Sequence, residues 1–171
     1  MGLVVFLQHR LGAYHAAFDD DESSHYVSGL LIHDYLAAGV PGSPLAFIRR
    51  FHSSYPLVGI GHWGPAYYAV EGVWMLLFGW SRTAALLLSA SVTAAVGLVL
   101  YAVAAPRFGR ILGGFTAVAF VSSPLVQQGS DAVMLDGSIT LLCLLALLAY
   151  WRSQLSPHSG RGEYAVELGC V

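Results

Sequence analysis

The sequence predicts an all-α, polytopic membrane protein, and three observations support this fold class. Of the 171 residues, 56% are hydrophobic and only 11% are charged, whereas about 25% of the residues of an average soluble domain are charged. The mean hydropathy of the chain is +0.63. Uncharged apolar stretches also recur in the second half of the chain, each close to the roughly 20 residues with which a helix crosses the hydrocarbon core of a bilayer.

Three of these stretches are expected to be clear transmembrane spans. The N-terminal residues 1–18 are largely apolar as well, but His9 and Arg10 interrupt them. We interpret this segment either as a partial first span or as a short interfacial helix. A signal peptide is disfavoured, because the segment lacks a basic n-region and a small-residue cleavage site. The clear spans are predicted at residues 83–105, 111–130 and 132–151.

A long loop at residues 19–81 is expected to hold two surface helices. Residues 24–38 carry apolar side chains at helical spacing, with Asp21 or Ser23 available as the N-cap. Residues 65–78 begin with a proline, which suits a first helical turn, and are rich in the aromatic residues that prefer membrane–water boundaries. At about 15 residues this segment is short for a span. We therefore predict a helix that lies at the bilayer surface.

Arginines predict how the spans are oriented. Arg107 and Arg110 flank the turn between the first two clear spans and Arg152 follows the third, so these ends should face the cytoplasm. Residues 1–152 then form one transmembrane domain, followed by a polar cytoplasmic tail at 153–171. The protein is expected in the cell inner membrane, with acidic loops on the periplasmic or outer face. The acids on that face are Asp19, Asp20, Asp21, Glu22, Asp34, Glu71, Asp131 and Asp136.

The overall charge and the cysteines exclude other classes. The net charge of −2 provides no basic surface for nucleic acid. Cys143 lies within a predicted span and Cys170 lies in the tail, so no disulfide framework is expected.

Four consecutive acids, Asp19 to Glu22, open the outer loop. A carboxylate at a membrane–water boundary can accept a proton from a hydroxyl when desolvation or a nearby cation tunes its pKa. Asp21 is the candidate for this role, with His25 one helical turn further on. The alternative is that the run only favours the start of the next helix, by roughly 0.3 to 1 kcal/mol. Consecutive acids define no ligand geometry, so no metal ligand is assigned and a divalent metal requirement stays open.

Asp136 interrupts an apolar run and must cap its span, form a pair or face a polar cavity. The functional alternative places Asp136 beside Asp21, because both are predicted on the same side of the membrane. Asp131 shares this choice between a cap and a functional acid.

The segment from Gly61 to Tyr68 brings an imidazole, an indole and two phenols together within eight residues. His62, Tyr67 and Tyr68 are suited to hold a phosphate or a sugar ring at the lipid surface. The alternative is an aromatic belt at the bilayer boundary, with Pro65 starting a helix.

The order of these motifs resembles the N-terminal part of the polytopic GT-C glycosyltransferases, which include protein O-mannosyltransferases and the lipid A aminoarabinose transferase. Members typically have Asp-Glu before a surface helix, then a basic-Pro-Pro-aromatic element leading to Phe-Gly. An Arg-containing start of the next span, a cytoplasmic Arg-hydrophobic-Phe-Gly turn and a second outer loop with an acid follow. The counterparts here, within about residues 18–152, are Asp21-Glu22, His62 to Tyr68 through Phe78-Gly79, Trp80 to Ala85, Arg107 to Arg110, and Ser123-Pro124 with Met134-Leu135-Asp136.

The resemblance implies an enzyme that transfers a sugar from a polyprenyl-phosphate donor to an acceptor on the outer face of the membrane. Asp21 resembles the family's catalytic aspartate, which accepts the proton of the acceptor hydroxyl. Asp136 resembles the second-loop acid that assists substrate placement. The partners implied are the lipid-linked sugar donor and the membrane. The substrate-binding candidates are Glu22, His25, His62, Tyr67 and Tyr68.

The chain also departs from the family. His62 stands where many members carry Lys, and Gly64 stands where many carry the first Pro. Members usually have more spans, so this chain is expected to be the N-terminal portion of such an enzyme. Two rivals stay open: a small non-catalytic membrane subunit or gene remnant, and a transporter or metal-handling fragment in which Asp131 and Asp136 line a pathway.

Overall fold

A computed structural model describes residues 1–59 and 61–155, and these residues form helices and no strands. The all-α prediction is therefore confirmed. Most of the predicted polar tail lies outside the described residues. The helices are α1 (Gly2–Arg10), α2 (Asp20–Ala37), α3 (Pro44–Ser54), α4 (Pro65–Phe78), α5 (Arg82–Phe108), α6 (Arg110–Val121), α7 (Pro124–Ser130) and α8 (Asp136–Leu155), with a 3-10 turn at Ala13–His15.

Helix α5 is the one helix of the described chain that is long and apolar enough to cross a membrane. It has 27 residues, and the mean hydropathy of its most apolar part is 2.2. It begins where the Ser81 hydroxyl oxygen accepts the N–H of Ala84 at 3.2 Å. Helices α6 and α7 provide a second span only if the bent pair is counted as one. Three clear spans are therefore not confirmed.

The segment predicted as the second span is divided into two helices. Helices α6 and α7 meet at an angle of 58°. Pro124 causes the break, because proline has no N–H to donate and its ring collides with the preceding turn of a helix. Ser123 then caps α7 by accepting the N–H of Val126 at 3.4 Å. The apolar sequence pattern continues across residues 122–123, where the helix is interrupted.

Helix α8 begins four residues later than predicted, at Asp136. The preceding connection is not helical, and Val133 in it donates its N–H to the Glu22 carboxylate at 3.0 Å. Among the described residues, α8 is not one of the candidate membrane spans. Its central apolar side chains, including Leu142 and Leu147, are largely exposed.

Helix α1 packs against the bundle through Val4 and Gln8, which are both buried. The Gln8 amide donates to the carbonyl oxygens of Leu86, at 3.2 Å, and Ser130, at 2.6 Å. Nine residues are too few to cross a bilayer, which takes about 20. Polar contacts of Gln8 tie this short helix to α5 and α7, and the choice between a partial span and an interfacial helix stays a prediction.

Helices α2, α3 and α4 form what we call the outer platform. Helix α2 begins at Asp20, earlier than predicted, because Asp19 is the N-cap instead of Asp21 or Ser23. A carboxylate oxygen of Asp19 accepts the N–H of Glu22 at 2.7 Å. Helix α4 has the predicted bounds, Pro65–Phe78.

Helix α3 was not predicted, since two turn signals bound the segment and only its middle is apolar. Pro44 occupies its first turn. Phe51 is buried in a cluster with Leu31 of α2 and Val58, and Phe47 and Ile48 pack against the same cluster. Contact with α2 therefore stabilises this short helix.

The two ends of the bundle differ in charge. At one end the Arg107 guanidinium lies 4.2 Å from the centre of the Trp151 ring, which joins the ends of α5 and α8. At the other end Arg82, at the start of α5, contacts Glu22 at the start of α2. Arginines thus occur at both ends of the bundle, and the topology and the side of the membrane on which each end lies stay predictions.

Candidate functional site

The candidate site is built around a buried ion pair between Glu22 and Arg82. Two guanidinium nitrogens of Arg82 each lie 3.0 Å from a different oxygen of the Glu22 carboxylate. Glu22 is 2% exposed, and one of its oxygens also accepts the N–H of Val133 at 3.0 Å. This two-pronged geometry is the strong form of a carboxylate–arginine contact. The pair joins α2, α5 and the connection before α8 at one point.

Arg82 also binds the segment that follows α1. Its Nε donates to the carbonyl oxygen of Ala13 at 3.2 Å, and its guanidinium lies 4.4 Å from the centre of the Phe18 ring. Each of the three guanidinium nitrogens of Arg82 therefore has a contact within the protein. Sequence reasoning noted Arg82 only as part of a family motif. The available signal was a single cation at the start of the longest apolar stretch.

Three aromatic side chains surround His25, the second group of the site. Its Nδ1 lies 2.8 Å from the hydroxyl of Tyr68, and the tautomer of the imidazole decides which of the two donates. The His25 ring lies 5.6 Å from the ring of Trp63 and 6.4 Å from that of Tyr67. Trp63 in turn contacts the exposed ring of His62 edge-on, at 5.2 Å. The rings thus connect an exposed imidazole to a buried one.

Burial sets the protonation of this cluster. It lowers the pKa of His25, although nearby Asp21 and Asp136 act in the opposite direction. Burial and the neighbouring Glu71 raise the pKa of Tyr68 to about 12. At neutral pH the pair is therefore a neutral imidazole against a protonated phenol, which is able to share a hydrogen bond with a hydroxyl group.

A cleft of about 540 Å³ lies beside this cluster, between α5, the α6–α7 break and the start of α8. Asp19, Tyr67 and Asp136 contribute carboxylates and a phenol to its lining. The lining also contains serine, threonine and glutamine side chains, and its remaining side chains are apolar. The polar group consists of Ser89, Thr93, Gln128, Ser130, Ser138 and Thr140, and the apolar group includes Leu88, Val92, Val96, Phe120, Leu125, Val126 and Met134.

The structure brings some predicted site residues together and separates others. Asp136 and Tyr67 line the cleft, and Asp136 is close enough to His25 to affect its pKa. Asp21 is exposed in the first turn of α2 and does not line the cleft, whereas Asp19 does.

The other predicted substrate-binding residues differ in their exposure to solvent. Both carboxylate oxygens of Glu22 are engaged by protein groups, so its contacts give it a structural role, and its substrate contact stays a prediction. His62 is exposed, while His25 and Tyr68 are buried. Within the described residues no cluster of three or more His, Cys, Asp or Glu side chains is arranged to hold a metal ion.

Two further carboxyls are buried without hydrogen-bond partners. Neither oxygen of Glu71 has one among the described groups, and one oxygen of Asp131 also lacks one. Burial raises the pKa of each, for Glu71 to well above its ordinary value. Sequence reasoning counted Glu71 only among the outer acids, because its apolar neighbours along α4 do not reveal that α2 covers it.

Comparison of the chain with protein-family models, curated proteins and solved structures finds no match. The functional assignment therefore depends on the site itself and on the order of motifs in the sequence.

Proposed function

We propose that the chain is the N-terminal portion of a GT-C-type membrane glycosyltransferase, which transfers a sugar from a polyprenyl-phosphate donor to an acceptor on the outer face of the cell membrane. The observation that supports this most is the cleft, whose lining combines two carboxylates with an apolar surface formed mainly by α5, α6 and α7. A polyprenyl phosphate combines a charged headgroup with an apolar chain, and the cleft offers both polar and apolar surface.

In this reaction the acceptor hydroxyl gives its proton to a carboxylate, and its oxygen forms a bond to the anomeric carbon. The bond between that carbon and the phosphate oxygen breaks, so polyprenyl phosphate leaves. We assign the proton acceptor to Asp21, and substrate placement to Asp136 with Tyr67 and the His25–Tyr68 pair. Asp19 lines the cleft and is a second candidate for the base.

The exposed apolar surface supports a membrane location. Leu98 of α5, Ile111 and Phe115 of α6 and Leu142 of α8 are 68%, 92%, 69% and 66% exposed. A soluble monomer seldom leaves so many large apolar side chains in water. We propose that lipid, or further membrane segments, contacts these helices in a multi-pass arrangement, and that α4 lies at the bilayer surface.

The test uses the chain in lipid nanodiscs with tritiated polyprenyl-phosphate hexose and pentose donors and with a photoreactive polyprenyl phosphate. Photolabelling should concentrate in the cleft peptides from Phe120 to Thr140. Asp21→Asn should lower any sugar transfer by about 10² to 10⁴, the usual contribution of a general base. Asp20→Asn is the matched control, because Asp20 is an adjacent exposed acid of the same run to which the family resemblance assigns no role.

Labelling no stronger than that of a photoreactive phosphatidylglycerol would overturn the lipid-phosphate assignment. Equal transfer by wild type, Asp21→Asn and Asp136→Asn would overturn the catalytic roles.

The second candidate is a non-catalytic membrane subunit whose acids are structural. Two observations favour it: Asp19 caps α2, and Glu22 is fully occupied by Arg82 and Val133. This candidate predicts that substitutions of Asp21 and Asp136 change neither transfer nor lipid labelling.

A further inference from the structure

Glu71 is placed in the contact between α2 and α4, where no water reaches it. It is 0% exposed, and neither of its carboxylate oxygens has a hydrogen-bond partner in the described part of the chain. A buried carboxylate normally has a cation or several N–H groups beside it. The burial of Glu22 is explained by its ion pair with Arg82, whereas the burial of Glu71 needs another explanation.

The backbone of α2 leaves room for this side chain only because residue 29 is glycine. A Cβ added to Gly29 would lie 2.5 Å from Oε2 of Glu71 and 2.6 Å from its carboxyl carbon. A Cβ added to Gly72, the next residue of α4, would likewise lie 2.7 Å from the Cβ of Ile32 on α2. The two helices thus cross at a pair of glycines, with the Glu71 carboxyl enclosed at the crossing.

Among the described residues, no cation forms an ion pair or a hydrogen bond with the Glu71 carboxyl. The titratable groups that sense its charge are the phenols of Tyr26 on α2 and of Tyr67 and Tyr68 on α4. His33 of α2 is occupied by Asp34 at 2.8 Å. On α5 the nearest cation is Arg82, which binds Glu22.

The remaining charged groups of these elements lie elsewhere. Asp20, Asp21 and Glu22 belong to the first turn of α2, and Arg107 is at the far end of α5. His25 forms its hydrogen bond with Tyr68. An ionised Glu71 would therefore stand alone in an apolar contact, whereas a neutral acid would fit.

We propose that Glu71 is a protonated latch between α2 and α4. As a neutral acid it allows α4 to pack on α2, which keeps Tyr68 on His25 and Tyr67 in the wall of the cleft. Loss of the proton separates the two helices at the glycine crossing and disperses the aromatic cluster. The inference does not depend on the enzymatic activity proposed above.

Infrared spectroscopy of the chain in nanodiscs tests the protonation directly. The wild type at neutral pH should show the carbonyl stretch of a carboxylic acid, and the difference spectrum against Glu71→Gln should isolate it. Asp34→Asn, which removes a carboxyl paired with His33 and partly exposed, is the control and should leave the band unchanged. A difference spectrum that shows only ionised carboxylate bands at neutral pH would overturn the proposal.

Tryptophan emission tests the movement. Trp63 lies against His25, so raising the pH should change the emission at a midpoint well above 4.5, the ordinary pKa of a glutamate. The change should be lost in Glu71→Gln and in Trp63→Phe. A transition that persists in Glu71→Gln assigns the movement to another group and overturns the latch.

A pair of substitutions separates the latch from simple misfolding. Gly29→Ala should abolish the Trp63 transition and loosen the contact, because its methyl group collides with Glu71. Glu71→Ala in the same chain frees that space and should restore wild-type protection of α4 amides against hydrogen exchange. Absence of this rescue would contradict the placement of Glu71 on Gly29.

Discussion

Glu22 and Glu71 are both buried glutamates in contacts of α2, and they are stabilised in opposite ways. Glu22 receives two nitrogens of Arg82 and the N–H of Val133. Glu71 has no partner among the described groups, and burial raises its pKa well above its ordinary value. Glu22 therefore has a cation beside its carboxylate, whereas the burial of Glu71 without a cation favours the neutral acid.

The difference teaches that the contact of α2 with α5 and the contact of α2 with α4 respond to different conditions. The Glu22–Arg82 contact joins four segments and should persist across the neutral pH range, since arginine does not lose its proton. The α2–α4 crossing depends on a proton that the solvent is able to remove. Substitutions that remove the ion pair of Glu22 or the carboxyl group of Glu71 test this difference directly.

The largest effect is expected from Glu22→Gln, which leaves Arg82 buried without its counter-charge. We expect a loss of about 3 to 5 kcal/mol in the free energy of unfolding, measured by titration with sodium dodecyl sulfate in mixed micelles. The double variant Glu22→Met with Arg82→Met is the control and should lose less, because no charge stays unpaired. A larger loss in the double variant would show that the pair itself is strongly stabilising.

Gly29→Ala should destabilise the α2–α4 crossing by about 1 to 3 kcal/mol, the usual cost of overpacking. The measurement is the same detergent titration. Gly114→Ala in α6 is the matched control, because nothing lies within 4 Å of a Cβ at that position. It should be neutral or slightly stabilising, since alanine favours a helix over glycine by about 1 kcal/mol at most. Equal losses in the two variants would contradict the close approach at Gly29.

Glu71→Gln should remove a pH dependence of stability. The pKa of Glu71 is raised on folding, so the folded state holds the proton more tightly and is most stable at low pH. Its stability then falls as the pH rises from about 4.5 towards the raised value, by at most about 1.4 kcal/mol per pH unit. Unfolding titrations at several pH values should give this slope as the difference between wild type and Glu71→Gln. No difference in slope would mean that Glu71 titrates normally.

The smallest effect is expected from Asp19→Ala, which removes the cap of α2. Its carboxylate accepts the N–H of Glu22, and loss of such a cap costs about 1 kcal/mol. Asp20→Ala is the control from the same acidic run, with an expected change within about 0.5 kcal/mol. If both variants behave alike, the contribution of Asp19 is its charge alone and not its hydrogen bond.

Local sequence patterns predicted those parts of the fold that depend on neighbouring residues. The bounds of α4 followed from Pro65 at its start and Gly79 after its end. Helix α5 was predicted from the sequence, because a long apolar run without charged residues favours a long helix. The break between α6 and α7 was missed, although Pro124 was present. Hydropathy indicates whether a segment is apolar, and it does not indicate whether the segment is one continuous helix.

The candidate site was predictable only in part. His25, Tyr67, Tyr68 and Asp136 were chosen from the sequence, and the structure groups His25 with the two tyrosines and sets Asp136 and Tyr67 in one cleft. The replacement of Asp21 by Asp19 in the cleft lining was not predictable, because adjacent acids are equivalent until the start of α2 is fixed.

The sequence by itself determined that this protein is helical and apolar, where its acids are concentrated and where the longest helix runs, because composition and local propensity decide these properties. Only the tertiary structure decided which acids are paired. Val133 is 111 residues from Glu22 along the chain, and Gly29 covers Glu71 from another helix. Burial and pairing set the charge of a carboxyl, and both arise from contacts between residues that are distant in sequence.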